Sequence, residues 1–303
     1  MRFSAVGTSS LQLSALGLGT MTWGRDTDEY EAHDQLAAYL EAGGNWIDTA
    51  SHFGAGAAAR SGRRDDGTVC LERSFLRQSL TQTLARLARP TLDIWVLQGY
   101  DPAVAPAEIA QTLEVALAAG LANYVALADF PAWQVAQVRA ELARPQSLIA
   151  GSYEYSLLAR GVEADVLPMF EQSGMGVLAW SPLGSGVLTG KYRHSVPADS
   201  RAASPHLARF TRARMTERAN NIVEALVVAA DGLGVTPAEL ALAWVCSSSQ
   251  VAGAITGART AAQLRGLLAA GTLSVPPQIK SVLDEVSAQP IPYPSAGYHS
   301  LHQ

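Results

Sequence analysis

Three observations predict an α/β fold built on parallel strands. Short apolar runs alternate with helical stripes through most of the 303 residues. The runs are apolar throughout, as in strands buried on both faces. The turns between them are short and polar or glycine-rich. This rhythm fits a (β/α)8 barrel, but a doubly wound open sheet would give the same alternation, so periodicity alone does not separate the two. At 48% hydrophobic and 16% charged residues the chain can bury one large core, and a barrel of this size forms one domain. Residues 1–303 are therefore read as a single domain with a proline-rich tail at 289–303.

Met1 to Gln12 alternates weakly about Gly7-Thr-Ser-Ser10, a hairpin that would plug one end of the fold. Leu13 to Gly19 is the first long strand, and its turn, Gly19-Thr-Met-Thr-Trp-Gly24, is small enough for close backbone approach to a ligand. A helix over about Tyr30 to Ala42 carries Leu36, Ala37 and Leu40 at helical spacing and stops at Gly43-Gly44. A strand then ends at Asp48.

After Gly56 the rhythm fails. One strand-helix unit takes about 30 residues, so Ala57 to Pro90 should hold a helix, a strand and a second helix. One good helix is present, Glu72 to Ala88, with Leu76, Leu80, Leu84 and Leu87 as its stripe. Ala57 to Gly67 is polar and rich in helix breakers, which leaves Thr68-Val-Cys-Leu71 as a very short strand. The second helix and third strand of the fold are thus expected to be shortened or missing, and a partner chain filling the gap would make a homodimer structural.

The unit rhythm resumes with a strand at Leu92 to Leu97, a helix at Pro106 to Ala119 and a strand at Ala122 to Leu127. Ala132 to Ala143 is helical, Leu148 to Ser152 extended, Val162 to Gln172 helical and Gly176 to Trp180 extended. A polar stretch, Arg193 to Pro205, precedes helices at about Thr211 to Ala230 and Pro237 to Cys246. The second of these opens on the capping box Thr236-Pro-Ala-Glu239. Val251 to Thr256 is the last strand, and Thr260-Ala-Ala-Gln263 is expected to cap its helix in the same way.

A net charge of -5 and the absence of a long basic run argue against nucleic acid or an anionic membrane surface as partner. Cys70 and Cys246 make no metal-binding spacing, and the six histidines include no His-x-x-x-His pair, so no metal is expected. Without a signal-like segment, the expectation is a reduced, cytoplasmic protein acting on a small molecule.

Several motifs in order are similar to those of the aldo-keto reductases. Asp48-Thr-Ala-Ser-His-Phe-Gly-Ala-Gly56 resembles that family's Asp-Thr-Ala-x-x-Tyr-Gly-x-Gly. Ser14-Ala-Leu-Gly-Leu-Gly-Thr-Met21, Leu92-Asp-Ile94, Glu154-Tyr-Ser-Leu-Leu158 and Ile255-Thr-Gly-Ala-Arg-Thr-Ala-Ala-Gln-Leu264 add to it. Trp180-Ser-Pro-Leu-Gly-Ser-Gly-Val-Leu-Thr-Gly-Lys-Tyr192 is the most specific match. The resemblance covers nearly the whole chain and implies the (β/α)8 TIM barrel. It also implies hydride transfer from NADPH to a carbonyl, with Asp, Tyr, Lys and His as the catalytic set.

Position by position, the match is degenerate. Asp48 holds the aspartate's place, Phe53 replaces the tyrosine, Gln98 stands where histidine should, and the lysine would lie on the reduced third strand. A phenyl ring has no proton to donate. The family's Ser-Asn pair for the nicotinamide carboxamide falls on Ala128-Asp129, and its glutamine on Ser152. Trp180 could still stack on a nicotinamide, the backbone around Ser181, Leu183 and Gly184 could wrap a pyrophosphate, and Arg259 keeps the place that meets the 2'-phosphate.

These losses lead to an expectation of no cofactor. The chain is read as a repurposed barrel doing acid/base chemistry (cyclisation, dehydration or isomerisation) on an aromatic or polyketide-like molecule. Asp48, His52, Asp129 and Tyr100 are its candidate catalytic groups, and Trp23, Phe53, Gln98, Tyr153 and Trp180 its candidate pocket. Bland readings stand beside these: Asp129 as a helix N-cap, His52 turned out of the pocket by strand alternation, Tyr100 and Tyr153 as loop linings, and Arg60, Arg63 and Arg64 in a solvated loop. Two alternatives remain. One is an NADPH-dependent carbonyl reductase whose acid is rewired to Tyr100, His52 or Tyr153. The other is a non-catalytic ligand-binding or regulatory subunit, since fold does not decide function.

Overall fold

The computed structural model describes residues 1–50, 60–63, 68–198, 200–205 and 207–290. An antiparallel hairpin, β1 (Phe3–Ala5) and β2 (Gln12–Ser14), turns at a left-handed Gly7. Eight parallel strands follow: β3 (Leu16–Gly19), β4 (Ile47–Asp48), β5 (Arg60–Ser61), β6 (Leu92–Gln98), β7 (Ala122–Ala128), β8 (Leu148–Glu154), β9 (Gly176–Trp180) and β10 (Val251–Thr256). Their order, β4-β3-β10-β9-β8-β7-β6-β5, is that of a (β/α)8 barrel: the first strand lies beside the last, and among the described residues every chain-consecutive pair but β4 and β5 is adjacent. The helices are α1 (Glu29–Glu41), α2 (Arg73–Arg86), α3 (Pro106–Ala118), α4 (Ala132–Glu141), α5 (Val166–Ser173), α6 (Ala208–Arg212), α7 (Glu217–Leu233), α8 (Pro237–Val245), α9 (Ala261–Leu268) and α10 (Pro277–Val286).

Two apolar layers follow from strand alternation. Val96, Ala126, Ile149, Leu178 and Ile255 face inward, where Val6, Leu11 and Leu13 of the hairpin close the floor as expected. Leu97, Val125, Leu127, Val177 and Ala179 face the helices in the larger outer layer. Trp46 packs with the inner layer, and its indole Nε1 donates to the Ser14 carbonyl at 2.8 Å. Glycine makes room for this ring: a Cβ on Gly17 would stand 2.3 Å from it, and one on Gly253 2.7 Å.

Helix α1 starts where Asp28 accepts from the Glu31 amide. Its buried face is Ala32, Gln35, Ala38 and Tyr39, not the expected Leu36/Leu40 stripe, and Leu40 is 58% exposed. The phenol decides this orientation. The Tyr39 hydroxyl shares its one proton between the carbonyls of Leu16 and Trp46 and meets Ser14 Oγ, tying the helix to β3 and to the chain entering β4. Burial raises the Tyr39 pKa, with the hydrogen bonds opposing it.

The third barrel strand is not Thr68–Leu71 but the two-residue β5, upstream in the stretch read as breaker-rich loop. It pairs with Val96 and Leu97, and Val69 makes only an isolated bridge to Arg63. Side-chain hydroxyls, not apolar pattern, hold it: Ser61 Oγ accepts from Trp95 Nε1 at 3.0 Å and meets Ser79 Oγ of α2 at 3.0 Å. Among the described residues β4 and β5 do not pair with each other and no helix lies between them. Ile47 on β4 is 46% exposed.

Further along, the expected helix at 211–230 is two, α6 and α7, because Thr216 caps a new start by accepting from the Ala219 amide. The Thr236/Glu239 capping box forms as read. At α9, Thr260 caps, but Gln263 Oε1 accepts from the Arg259 amide, so the box is not reciprocal in the same way. Helix α10 had no counterpart in the sequence reading; Trp244 Nε1 donates to Asp284 and Arg160 reaches Ser287, anchoring it.

Two outcomes are expected. Gly17→Ala drives a methyl into the Trp46 ring and should lower unfolding stability by about 1–3 kcal/mol in urea titration. Cys246 points its thiol onto the Ala15 carbonyl at 3.4 Å, and burial pushes its pKa up to about 12 from 9.0. The folded state therefore keeps this proton where the unfolded chain has lost it. That contribution is full below pH 9 and is lost as pH rises toward 12, at up to about 1.4 kcal/mol per pH unit. Cys246→Ala should flatten this alkaline fall, measured as unfolding free energy against pH.

Candidate active site

Strand register sets Gln98, Ala128 and Ser152 side by side at the carboxyl ends of β6, β7 and β8. Gln98 continues the inward row of Ile94 and Val96. One residue beyond β7, Asp129 adopts left-handed backbone (φ 62°), and its amide donates to the Ser152 carbonyl. Aspartate tolerates this conformation better than most residues. The carboxylate bridges the barrel mouth: Oδ2 accepts from Gln98 Nε2 at 3.2 Å and Oδ1 from Trp180 Nε1 at 3.0 Å. Asp129 is not an N-cap, because α4 begins after Pro131 and has no side-chain cap.

The remaining candidates separate. Tyr153 lies in the outer layer, edge-on to Phe170, and its hydroxyl donates to the Phe130 carbonyl at 2.7 Å. Burial first, then the charges of Asp129 and Asp165, raises its pKa. It is neither a pocket wall nor an available acid, which corrects both readings. Trp23 also leaves the pocket: it packs with Leu18, Tyr39 and Leu264 beneath α1 and α9, and its Nε1 donates to Gln35. Asp48 ends β4, where its carbonyl accepts from Thr20. Tyr100 follows β6, its ring edge-on to the half-exposed Trp133 at 6.1 Å. Its hydroxyl has no hydrogen-bond partner among the described residues. His52, Phe53 and Arg64 lie outside the described residues.

After Trp180 the chain makes a left-handed run at Ser181, Gly184, Ser185 and Gly186. Sequence reading gave the amides here to a pyrophosphate. Instead the Gly184 amide donates to the Ser181 carbonyl, Ser185 to Ser181 Oγ, and Gly186 to the Leu183 carbonyl. The loop is thus preformed, and side chains supply its charge. Lys191 Nζ stands 3.6 Å from where a Gly186 Cβ would be, and Arg201 Nη2 3.9 Å from where a Gly257 Cβ would be. Neither cation has a carboxylate within salt-bridge distance among the described residues. Burial, with Arg259 nearby, lowers the Arg201 pKa against the opposing pull of Tyr192 and Asp26. Thr256 Oγ1, at the end of β10, is buried without a hydrogen-bond partner among the described residues. Arg201 was missed in the sequence because it sits in a stretch that reads as polar linker.

Lys191, Arg201, a glycine-lined approach and the Thr256 hydroxyl give this end of the barrel a set of groups that could hold a phosphate. Trp180 could stack on a nicotinamide, but beside it stands the Asp129 carboxylate where the resemblance implies an amide. Among the described residues no cluster of three or more His, Cys, Asp or Glu is placed to hold a metal, and no single helix is long and apolar enough to cross a membrane.

The model of the Aldo/keto reductase family matches residues 15–64 and 62–287. The chain is 29% identical over 324 residues to "Uncharacterized oxidoreductase YrpG" of Bacillus subtilis (strain 168), covering 96% of this chain and 97% of that one. It is 30% identical to a "Probable voltage-gated potassium channel subunit beta" of Oryza sativa subsp. japonica, over 85% of this chain and 87% of the relative. It is 29% identical to "Protein tas" of Escherichia coli (strain K12), over 88% and 91%. These matches overturn the expectation of non-redox cyclase, dehydratase or isomerase chemistry without a cofactor, because the matched family is one of reductases and YrpG is named an oxidoreductase.

Asp129→Asn keeps the left-handed backbone and replaces two charge-assisted hydrogen bonds by neutral ones, the Gln98 amide turning so that its oxygen accepts from the new N–H. It should cost about 1 kcal/mol of stability and change tryptophan emission, read by urea unfolding and fluorescence.

Proposed function

Because the chain belongs to the aldo/keto reductase family, we propose that it is an NADPH-dependent carbonyl reductase whose proton donor has moved. The observation that carries this reading is Arg201, a half-buried cation that stands beside Gly257 at the end of β10 with no carboxylate within salt-bridge distance among the described residues; the exposed Lys191, over the Tyr192 ring, adds positive charge beside the loop after β9. A cation held as Arg201 is finds its complement in an anionic ligand. Trp180, Lys191, Arg201 and Arg259 would hold the cofactor, with Ser181, Leu183 and Gly184 shaping the loop that approaches it. When bound, NADPH supplies the hydride that reduces a carbonyl carbon. Asp129 keeps the Trp180 indole in one orientation, so the aromatic platform is preorganised.

The protein's own task is then to give a proton to the carbonyl oxygen. Tyr153 is excluded by its bond to Phe130. Tyr100 is the proposed donor: a phenol beyond the end of β6, braced by Trp133 and without an internal acceptor among the described residues. His52 is the second candidate, on sequence alone.

Tryptophan fluorescence titration should give micromolar NADPH binding, and no binding up to about 1 mM would remove this reading. Tyr100→Phe should lower kcat by about 10²-fold or more with NADPH affinity unchanged. If instead His52→Ala produces that loss and Tyr100→Phe does not, the acid is His52.

A further inference from the structure

Asp129 is an anion held by neutral groups. Its two carboxylate oxygens accept from the Gln98 amide at 3.2 Å and the Trp180 indole at 3.0 Å, bonds that fix its position without cancelling its charge. No cation lies within salt-bridge distance of it among the described residues. The charge is felt nearby: after burial, it is the next cause of the raised Tyr153 pKa. Asp129 and Trp180 are both only partly buried, so the pair is open to a ligand at the barrel mouth.

The indole supplies the other half of the feature. Its face carries negative charge density and attracts a cation, and an N–H donating to a carboxylate polarises the ring further in the same sense. At the ends of β9 and β10 the sign reverses, with Lys191 beside Gly186 and Arg201 beside Gly257. A ligand that matches both ends is anionic at one and cationic at the other. We infer that the Asp129–Trp180 pair binds the cationic ring of an oxidised nicotinamide, so that the protein holds NADP+ more tightly than NADPH. The inference rests on the reductase reading and adds to it a preference between the two forms of the cofactor. Their phosphates are the same and meet the same cations, so the cationic end does not tell them apart. The ring is positive when oxidised and neutral when reduced, and a fixed carboxylate responds to that difference.

Calorimetric titration of the wild-type protein should give a Kd for NADP+ at least about fivefold below that for NADPH. Asp129→Asn should bring the ratio close to one, and added salt should shrink it. Two phosphate-free fragments test the ring alone: 1-methylnicotinamide, a cation, and N-methylnicotinamide, which is neutral and hardly differs in size. Saturation-transfer NMR on the wild-type protein should favour the cation, a comparison that stands even if Asp129→Asn does not fold. Equal affinity for the two cofactor forms, tighter binding of NADPH, or a preference that Asp129→Asn leaves unchanged would overturn the inference and leave the reductase reading intact. Equal binding of the two fragments would overturn it in the same way. Preferential binding of 1-methylnicotinamide without binding of either dinucleotide up to about 1 mM would support the pair as a site for a cationic ring and remove the reductase reading. No binding of any of the four would overturn both.

Discussion

A carboxylate that can only accept hydrogen bonds governs the mouth of this barrel. Asp129 draws one N–H from β6 and one from β9, so two strands separated by β7 and β8 are tied through a single side chain. Its left-handed backbone carries the side chain over the strand ends rather than into the α4 cap. Tilting the indole or turning the amide would each break one of these part-buried, charge-assisted hydrogen bonds. The polar layer above the apolar barrel core therefore has one arrangement.

Legibility in the sequence followed burial. Strands buried on both faces, β6 to β10, could be read almost to the residue, because an apolar run of that length bounded by turns fits few structures besides a buried strand. The capping box at Thr236 was equally plain, since it depends on two residues at fixed spacing. β5 was not readable: it is two residues long and held by the hydroxyl of Ser61, and hydrophobic periodicity does not register such a bond. The buried face of α1 was misplaced for a similar reason, as Tyr39 satisfies its hydroxyl on backbone carbonyls and outweighs the more obvious leucines.

The site shows the same limit more sharply. Resemblance placed Asp129, Gln98 and Trp180 at the strand ends, yet gave no sign that they are bonded to one another. It grouped Tyr153 and Trp23 with them, although alternation along β8 sends Tyr153 to the helix layer and Gln35 claims the Trp23 indole. Counting lost family residues led toward chemistry without a cofactor. That count included Trp180, Ser181 to Gly184 and Arg259 but not Arg201, which stands in a segment with no motif and becomes informative only beside Gly257.

The seam between β4 and β5 gives the barrel wall unequal stiffness. Each of these strands contributes two residues and is hydrogen-bonded on one side among the described residues, whereas β7 and β8 share longer ladders with both neighbours. Opening free energies are lowest where the fewest bonds and contacts must break. The groups that fix the polar layer and the cofactor cradle belong to the stiff arc, and the seam faces them from the compliant one. On the reductase proposal, a lineage built on this plan can alter the shape of its pocket at the seam while the cationic end stays unchanged, so that substrate range and cofactor binding evolve as separate traits.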